Sequence, residues 1–148
     1  MGMQMIHVTN AEDLQKCFHI RKEVFVNEQG VAEDLEWDEK DQTPDACRHM
    51  LLMKDDVPVG TARWYGYDAD TAKLQRVAVL KEYRGTGAGK QLILGMEEDA
   101  RKFGYTFSML DGQCQAEQFY AKLGYEVISD EPFFDAGILH VRMRKSLT

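Results

Sequence analysis

The chain has 148 residues, of which 44% are hydrophobic and 29% are charged, and its formal net charge is −7. This length and composition predict one globular domain over residues 1–148. The negative charge argues against general nucleic-acid binding, and no apolar run approaches the ~20 residues that cross a bilayer. Three scattered cysteines without a C-x-x-C pair, and no secretory signal pattern, predict a cytoplasmic protein without a cysteine-based metal site.

The first half of the chain alternates strands with one long helix. Residues 4–9 predict a strand, and Asn10 suits the cap of a helix that begins at Ala11 and ends near residues 28–30. Residues 31–45 are acidic and irregular, with a helical turn near Leu35, and form either a solvated face or an attraction for a cationic substrate. Residues 48–54 and 57–67 predict a hairpin, and residues 72–80 continue the sheet.

The second half predicts the remaining layers of an α/β fold. A helix over residues 87–103 is followed by a strand at 107–110, a helix at 115–123, and strands at 125–128 and 138–145. This order predicts a mixed α+β domain, with a central mixed sheet and helices on both faces. An exposed final strand would allow pairing between two copies, so a homodimer is one possibility.

A glycine-rich loop precedes the helix at residue 87. Three glycines at alternate positions allow sharp turns and close approach to a ligand, while the helix start adds its positive dipole end. The loop predicts a diphosphate cradle and consists of Arg84, Gly85, Thr86, Gly87, Ala88, Gly89 and Lys90.

Two common phosphate loops do not fit these residues. A magnesium-dependent P-loop requires Ser or Thr after its G-K pair, but Gln91 follows Lys90. A dinucleotide fingerprint requires a third glycine where Lys90 or Leu92 stands. The remaining pattern is R-x-x-G-x-G at residues 84–89.

With this pattern, the chain resembles the GCN5-related N-acetyltransferase (GNAT) superfamily. The preceding strand reads L-Q-R-V-A-V-L at residues 74–80, and residues 116–125 read A-E-Q-F-Y-A-K-L-G-Y, as in that family. Shorter segments at residues 21–29, 36–38 and 136–143 resemble its small bacterial ElaA/YjcF-like subgroup.

The resemblance implies a GNAT fold with a mostly antiparallel sheet, in which the fourth and fifth strands splay apart. It also implies acetyl-CoA as cosubstrate, with its diphosphate on the N–H groups of residues 85–90 and no metal required. The pantetheine arm would pair with the backbone of Val77, Ala78 and Val79, as an added strand does. Gln113 would hydrogen-bond the same arm.

The implied reaction transfers acetyl directly to a primary amine of a small molecule or peptide. Tyr120 is implied as the general acid that protonates the leaving thiolate. The general base stays open among Glu28, Asp38, Asp111, His140 and a water chain. Related sequences carry Asn-Ala-Gln where this chain has D-G-Q at residues 111–113, so Asp111 cannot donate as the amide would.

Three further questions stay open from the sequence. The chain is either an enzyme or a non-catalytic acyl-CoA binding or sensor module, and a different nucleotide-phosphate ligand is a third reading. A covalent acetyl-cysteine at Cys114 is disfavoured, because the superfamily usually transfers directly. Arg63 and Arg76 would suit a carboxylate or phosphate on the acceptor if they point into its cleft, which conflicts with a cationic substrate.

Overall fold

The computed structural model describes residues 2–148. Within them, eight strands form one sheet: β1 (Met3–His7), β2 (Arg48–Lys54), β3 (Val57–Gly66), β4 (Thr71–Val79), β5 (Phe107–Gln113), β6 (Glu126–Val127), β7 (Phe133–Asp135) and β8 (Ile138–Ser146). The α-helices are α1 (Ala11–Arg21), α2 (Glu33–Glu36), α3 (Ala88–Lys102) and α4 (Glu117–Lys122). A π-helix (Lys22–Glu28) continues α1, and 3₁₀ turns lie at Glu39–Asp41, Lys81–Tyr83 and Cys114–Ala116.

The sheet order is β1-β2-β3-β4-β5-β8-β6, with β7 also paired to β8. All pairings are antiparallel except that of β4 with β5. The parallel pairing joins only residues 71–74 to residues 107–110, so the later parts of both strands separate. The mixed, mostly antiparallel sheet with a splayed fourth and fifth strand is therefore confirmed.

Helices cover both faces of this sheet, as the order of elements predicted. The apolar stripe of α3 places Leu92, Ile93 and Met96 in one core cluster, where all three are fully buried. On the opposite face, Leu14 and Ile20 of α1 belong to a second cluster. Burial of two apolar helix faces is the main stabilising contribution expected of this architecture. No helix within residues 2–148 is long and apolar enough to cross a bilayer.

Three features of the observed fold differ from the predictions. The first helix changes from α to π geometry after Arg21, and the Gln29 N–H donates to the Val24 carbonyl at 3.2 Å. Strand β7 was missed, because its hairpin to β8 turns on Ala136 at φ 51 and Gly137 at φ 79, and alanine is a rare residue at positive φ. The final strand β8 lies between β5 on one side and β6 and β7 on the other, so it is not the exposed edge that we expected.

Candidate active site

A cleft of about 440 Å³ opens where β4 and β5 separate. Its walls come from the π-helix, α2, β4, β5, α4 and β8. Several of the predicted site residues line it: Val77, Ala78, Val79, Arg84, Asp111, Gln113, Tyr120 and His140. Glu28 and residues 85–90 lie outside this lining, and Gly87 and Lys90 border a separate shallow depression beside Met5.

The glycine-rich loop presents a row of unused hydrogen-bond donors. Among residues 2–148, no acceptor contacts the backbone N–H groups of residues 85–90, which lead into the first turn of α3. Gly85 and Gly87 adopt φ values of 77 and 86, and a Cβ at either position would meet no atom within 4 Å. Glycine is therefore required there for its backbone conformation, and the unused donors of the loop suit an anion.

Gly89 has a different role from the other two loop glycines. A Cβ at this position would lie 3.2 Å from Cζ of Phe119, so the missing side chain lets α4 pack against the start of α3. Thr86 secures the loop by donating its hydroxyl to the Tyr83 carbonyl. Lys90 is exposed beside these donors and adds positive charge.

Arg84 forms a bidentate ion pair with Glu28, with contacts of 2.9 and 2.7 Å. The hydrogen bond from Arg84 lowers the pKa of Glu28, so that carboxylate is a weak base in this structure. The pair joins the end of the π-helix to the glycine-rich loop. Arg84, which is predicted to bind the diphosphate, and Glu28, one of the candidate bases, are therefore in contact with each other.

Tyr120 lies under the cleft on α4, with its ring against β5. A Cβ at Gly112 would lie 2.9 Å from two carbons of this ring, so glycine leaves the space that the ring fills. Burial raises the pKa of Tyr120 to about 12. The hydroxyl contacts no hydrogen-bond partner within residues 2–148. It is therefore a protonated donor with nothing else to bind.

The other base candidates differ in how their acid–base atoms are engaged. Asp111 binds Arg142 at 2.8 and 3.1 Å and Lys73 at 3.2 Å, and these cations lower its pKa against the opposing effect of burial. His140 has its Nδ1 2.6 Å from the Ile138 carbonyl. Because a carbonyl only accepts, Nδ1 is the donor of this contact, and Nε2 has no hydrogen-bond partner within residues 2–148.

Gln113 takes part in a chain of side-chain amides across the cleft. Its Nε2 donates to Oε1 of Gln29 at 2.8 Å, and its Oε1 accepts from Gln115 at 2.7 Å. Gln113, which is predicted to bind the pantetheine arm, thus contacts Gln29 at the end of the π-helix. Arg84 contacts the same end of that helix through Glu28. A ligand that uses Gln113 must replace at least one of these contacts.

A buried charge cluster beside the cleft was not predicted from the sequence. It consists of Arg21, Glu36, Asp38, Asp41, Arg63 and Arg76. Three acids of the run at residues 31–45 therefore pair with arginines, and neither a solvated face nor an attraction for a cation describes them. The sequence marked this region by its acidic run and by the motif at residues 36–38, but it did not indicate that these acids pair with arginines on α1, β3 and β4.

Comparisons with known proteins agree with this geometry. A family model described as an acetyltransferase (GNAT) domain matches residues 10–147. The uncharacterized N-acetyltransferase YjcF of Bacillus subtilis is 38% identical over 143 residues, which cover 97% of this chain and 99% of that protein.

Two solved structures share the fold. Escherichia coli ElaA superposes with a TM-score of 0.84 at 24% identity, covering 97% of this chain and 99% of that one. A GNAT family acetyltransferase from Elizabethkingia anophelis, solved with acetyl-CoA bound, has a TM-score of 0.75 at 15% identity, covering 97% of each chain. The resemblance stated from the sequence is therefore confirmed.

Proposed function

The chain belongs to the GNAT acetyltransferase family, and we propose that it transfers acetyl from acetyl-CoA directly to a primary amine of a small molecule or peptide. The observation that carries this proposal is the row of six unused N–H groups at residues 85–90, which follows directly after Arg84 of the cleft lining. This arrangement suits a diphosphate followed by an extended arm. The acceptor, the cytoplasmic location and a homodimeric state stay predictions.

The chain's own groups fit the expected parts of acetyl-CoA. Residues 85–90 would hold the diphosphate together with Arg84 and Lys90, without a metal ion. The edge of β4 after residue 74 is not paired with β5, so backbone groups at residues 77–79 could pair with the pantetheine arm, in competition with Nε of Arg84, which donates to the Val79 carbonyl at 3.0 Å. Binding would release Arg84 from Glu28 and Gln113 from Gln29, which exchanges existing contacts for new ones.

The reaction requires a proton donor for sulfur and an acceptor for the amine proton. Acetyl-CoA supplies the acetyl group as a thioester; the amine nitrogen bonds to its carbonyl carbon as the carbon–sulfur bond breaks. Tyr120 is protonated throughout the neutral range and lines the cleft, so it would donate to the leaving sulfur. A backbone N–H near Val79 would stabilise negative charge on the carbonyl oxygen.

Among the candidate bases, we favour His140. Its Nε2 keeps a lone pair and has no partner within residues 2–148, whereas the Asp111 and Glu28 carboxylates are held by cations. Asp38 is paired with Arg63 at 2.6 Å and lies outside the lining of the cleft. A histidine is also the side chain that most often transfers protons in enzymes.

Ligand binding and turnover test the proposal separately. We expect acetyl-CoA to raise the melting temperature while ATP and NAD leave it unchanged, because stabilisation follows specific binding to the folded state. Thiol release is then measured across amines, aminosugars, amino acids and peptides. No shift with millimolar acetyl-CoA would contradict the proposed site, and binding without thiol release for any acceptor would favour the acyl-CoA sensor instead.

A further inference from the structure

We propose that Arg76 binds an anionic group of the acceptor, so that the acceptor is a primary amine that also carries a carboxylate or a phosphate. This inference rests on the proposed acetyltransferase function and adds the chemical class of the second substrate. It starts from the position of Arg76 in β4. The remaining steps concern its unused donors and the charge around it.

Arg76 lies at the point where β4 leaves β5. Its backbone has φ 55, and the pairing of β3 with β4 shifts its register between Thr61 and Arg63, opposite this residue. Such a conformation costs a non-glycine residue about 1–2 kcal/mol and is found preferentially at functional positions. The bulge places Arg76 in the lining of the cleft, next to Val77, where the pantetheine arm is expected.

The three arginines of the charge cluster differ in how many donors they use. All three guanidinium nitrogens of Arg21 form hydrogen bonds, and so do those of Arg63, and both side chains are 1% exposed. The Arg76 side chain is 23% exposed and uses only Nη2, which donates to the Glu36 carbonyl at 3.2 Å.

The other two guanidinium nitrogens of Arg76 make no hydrogen bond: Nε is buried and unsatisfied, and Nη1 is available to a ligand. Its Nε lies 3.1 Å from Oε2 of Glu36, yet it is buried and its N–H makes no hydrogen bond. Its Nη1 contacts no acceptor within residues 2–148. An arginine that keeps open donors at a cleft wall is suited to a carboxylate or phosphate oxygen.

The surrounding charge favours an anion over a cation at this point. Burial lowers the pKa of Arg76, with a further contribution from the nearby Arg63 and Arg21, although Glu36 opposes it. A bound anion would relieve this repulsion. Farther along β4, Lys73 and Arg142 share the single carboxylate of Asp111. The exposed carboxylate of Asp135, which also lines the cleft, acts against the binding of an anion.

The net charge of −7 does not contradict this reading. Glu36, Asp38 and Asp41 are balanced by Arg21, Arg63 and Arg76 inside the protein, so the charges of this cluster sum to zero and the excess of negative charge lies on other residues. Because Arg76 directly precedes residues 77–79, where the pantetheine arm and the acetyl carbonyl are proposed to bind, an anionic group bound at Nη1 would lie on the same stretch of β4 as the reacting group. That proximity suits a small acceptor in which few bonds separate the amine from the acid.

Matched pairs of amines test the inference. Initial rates of thiol release are compared for β-alanine against propylamine and for phosphoethanolamine against ethanolamine, and the two pairs distinguish a carboxylate from a phosphate. We expect the wild type to prefer the acidic member of at least one pair about 10- to 100-fold in kcat/KM, as a hydrogen bond between charged groups would give. In Arg76→Gln this ratio should fall toward one, mainly through a higher KM for the acidic amine.

Arg63→Lys serves as the matched control, because it disturbs the same cluster without changing a residue of the cleft lining. This variant should keep the wild-type ratio even if its melting temperature falls. Equal rates within both wild-type pairs, no acetylation of either acidic amine, or an unchanged ratio in Arg76→Gln would overturn the inference. If Arg76→Gln does not fold, the wild-type ratios decide alone. Failure of acetyl-CoA to stabilise the protein would instead reject the proposed function.

Discussion

Replacing Tyr120 with phenylalanine separates the proposed acid from the packing of its ring. The ring fills the space beside Gly112 and contacts Phe119 and Tyr125 at centroid distances of 5.1 and 6.2 Å, all of which Phe retains. The hydroxyl has no partner within residues 2–148, so the free energy of unfolding should change by less than about 1 kcal/mol. General acid catalysis contributes about 10²- to 10⁴-fold, and we expect kcat to fall by about 100-fold or more.

The pKa of Tyr120 predicts how the activity should depend on pH. With a pKa of about 12, the fraction of deprotonated Tyr120 at pH 8 is about 1 in 10⁴, so no loss of activity below about pH 10 should arise from this group. Thiol release measured in a stopped assay gives kcat, and titration calorimetry with coenzyme A gives Kd. We expect Kd to be unchanged in Tyr120→Phe.

Tyr125→Phe is the matched control for this experiment. Its hydroxyl donates to Oε2 of Glu97 at 2.8 Å and lies 2.6 Å from the Ser108 hydroxyl, so its loss should lower stability without a comparable fall in kcat. Tyr120→Phe should therefore lower kcat with little change in stability, whereas Tyr125→Phe should lower stability with little change in kcat. A Tyr120→Phe enzyme with kcat within twofold of the wild type, at saturating substrates and with chemistry rate-limiting, would refute the acid assignment.

Three further predictions follow from the loop and the charge cluster. Glu28→Gln should free Arg84 and tighten coenzyme A binding up to about fivefold at low salt, as calorimetry can measure; equal affinity would show that the exposed pair does not compete with the ligand. Gly87→Ala and Gly104→Ala, at φ 86 and 90, should each lose about 1–2 kcal/mol in urea unfolding, but only Gly87→Ala should weaken coenzyme A binding; equal weakening would argue against the loop. Although burial acts in the opposite direction, Arg21 and Arg63 lower the pKa of Asp41 to about 2. The ionised Asp41 carboxylate therefore stabilises the folded state by about 2 kcal/mol above pH 4, and this stabilisation is lost as the pH falls toward 2. The free energies of unfolding of the wild type and Asp41→Asn should therefore converge at low pH, and a constant difference would contradict this.

The fold could be predicted, and the coenzyme loop proposed, because their signals are local. The apolar stripe of α3 and the glycines at residues 85 and 87 express helix periodicity and backbone conformation, which depend on neighbours in the chain. The turn at Ala136 violated such a local rule, and β7 was missed for that reason.

The acceptor side of the cleft depends on contacts between distant residues. Arg84 reaches back 56 positions to Glu28, and Arg76 lies 40 positions from Glu36. No periodicity encodes such pairs, because one requires the glycine-rich loop to lie beside the π-helix and the other requires β4 to lie beside α2. The sequence likewise offered Arg63 and Arg76 as equivalent cleft candidates, and only packing placed one in the cleft and buried the other.

The sequence by itself therefore determined the family, most of the order of elements and the glycine-rich loop, since each follows from conformational preferences within a few residues. The tertiary structure decided which of those groups are already engaged: Glu28 binds Arg84, Gln29 binds Gln113, and three acids of the run at residues 31–45 pair with arginines. The physical reason is that protonation, hydrogen bonding and exposure of a charged group depend on its neighbours in space. Those neighbours are fixed only when the sheet brings separate segments together.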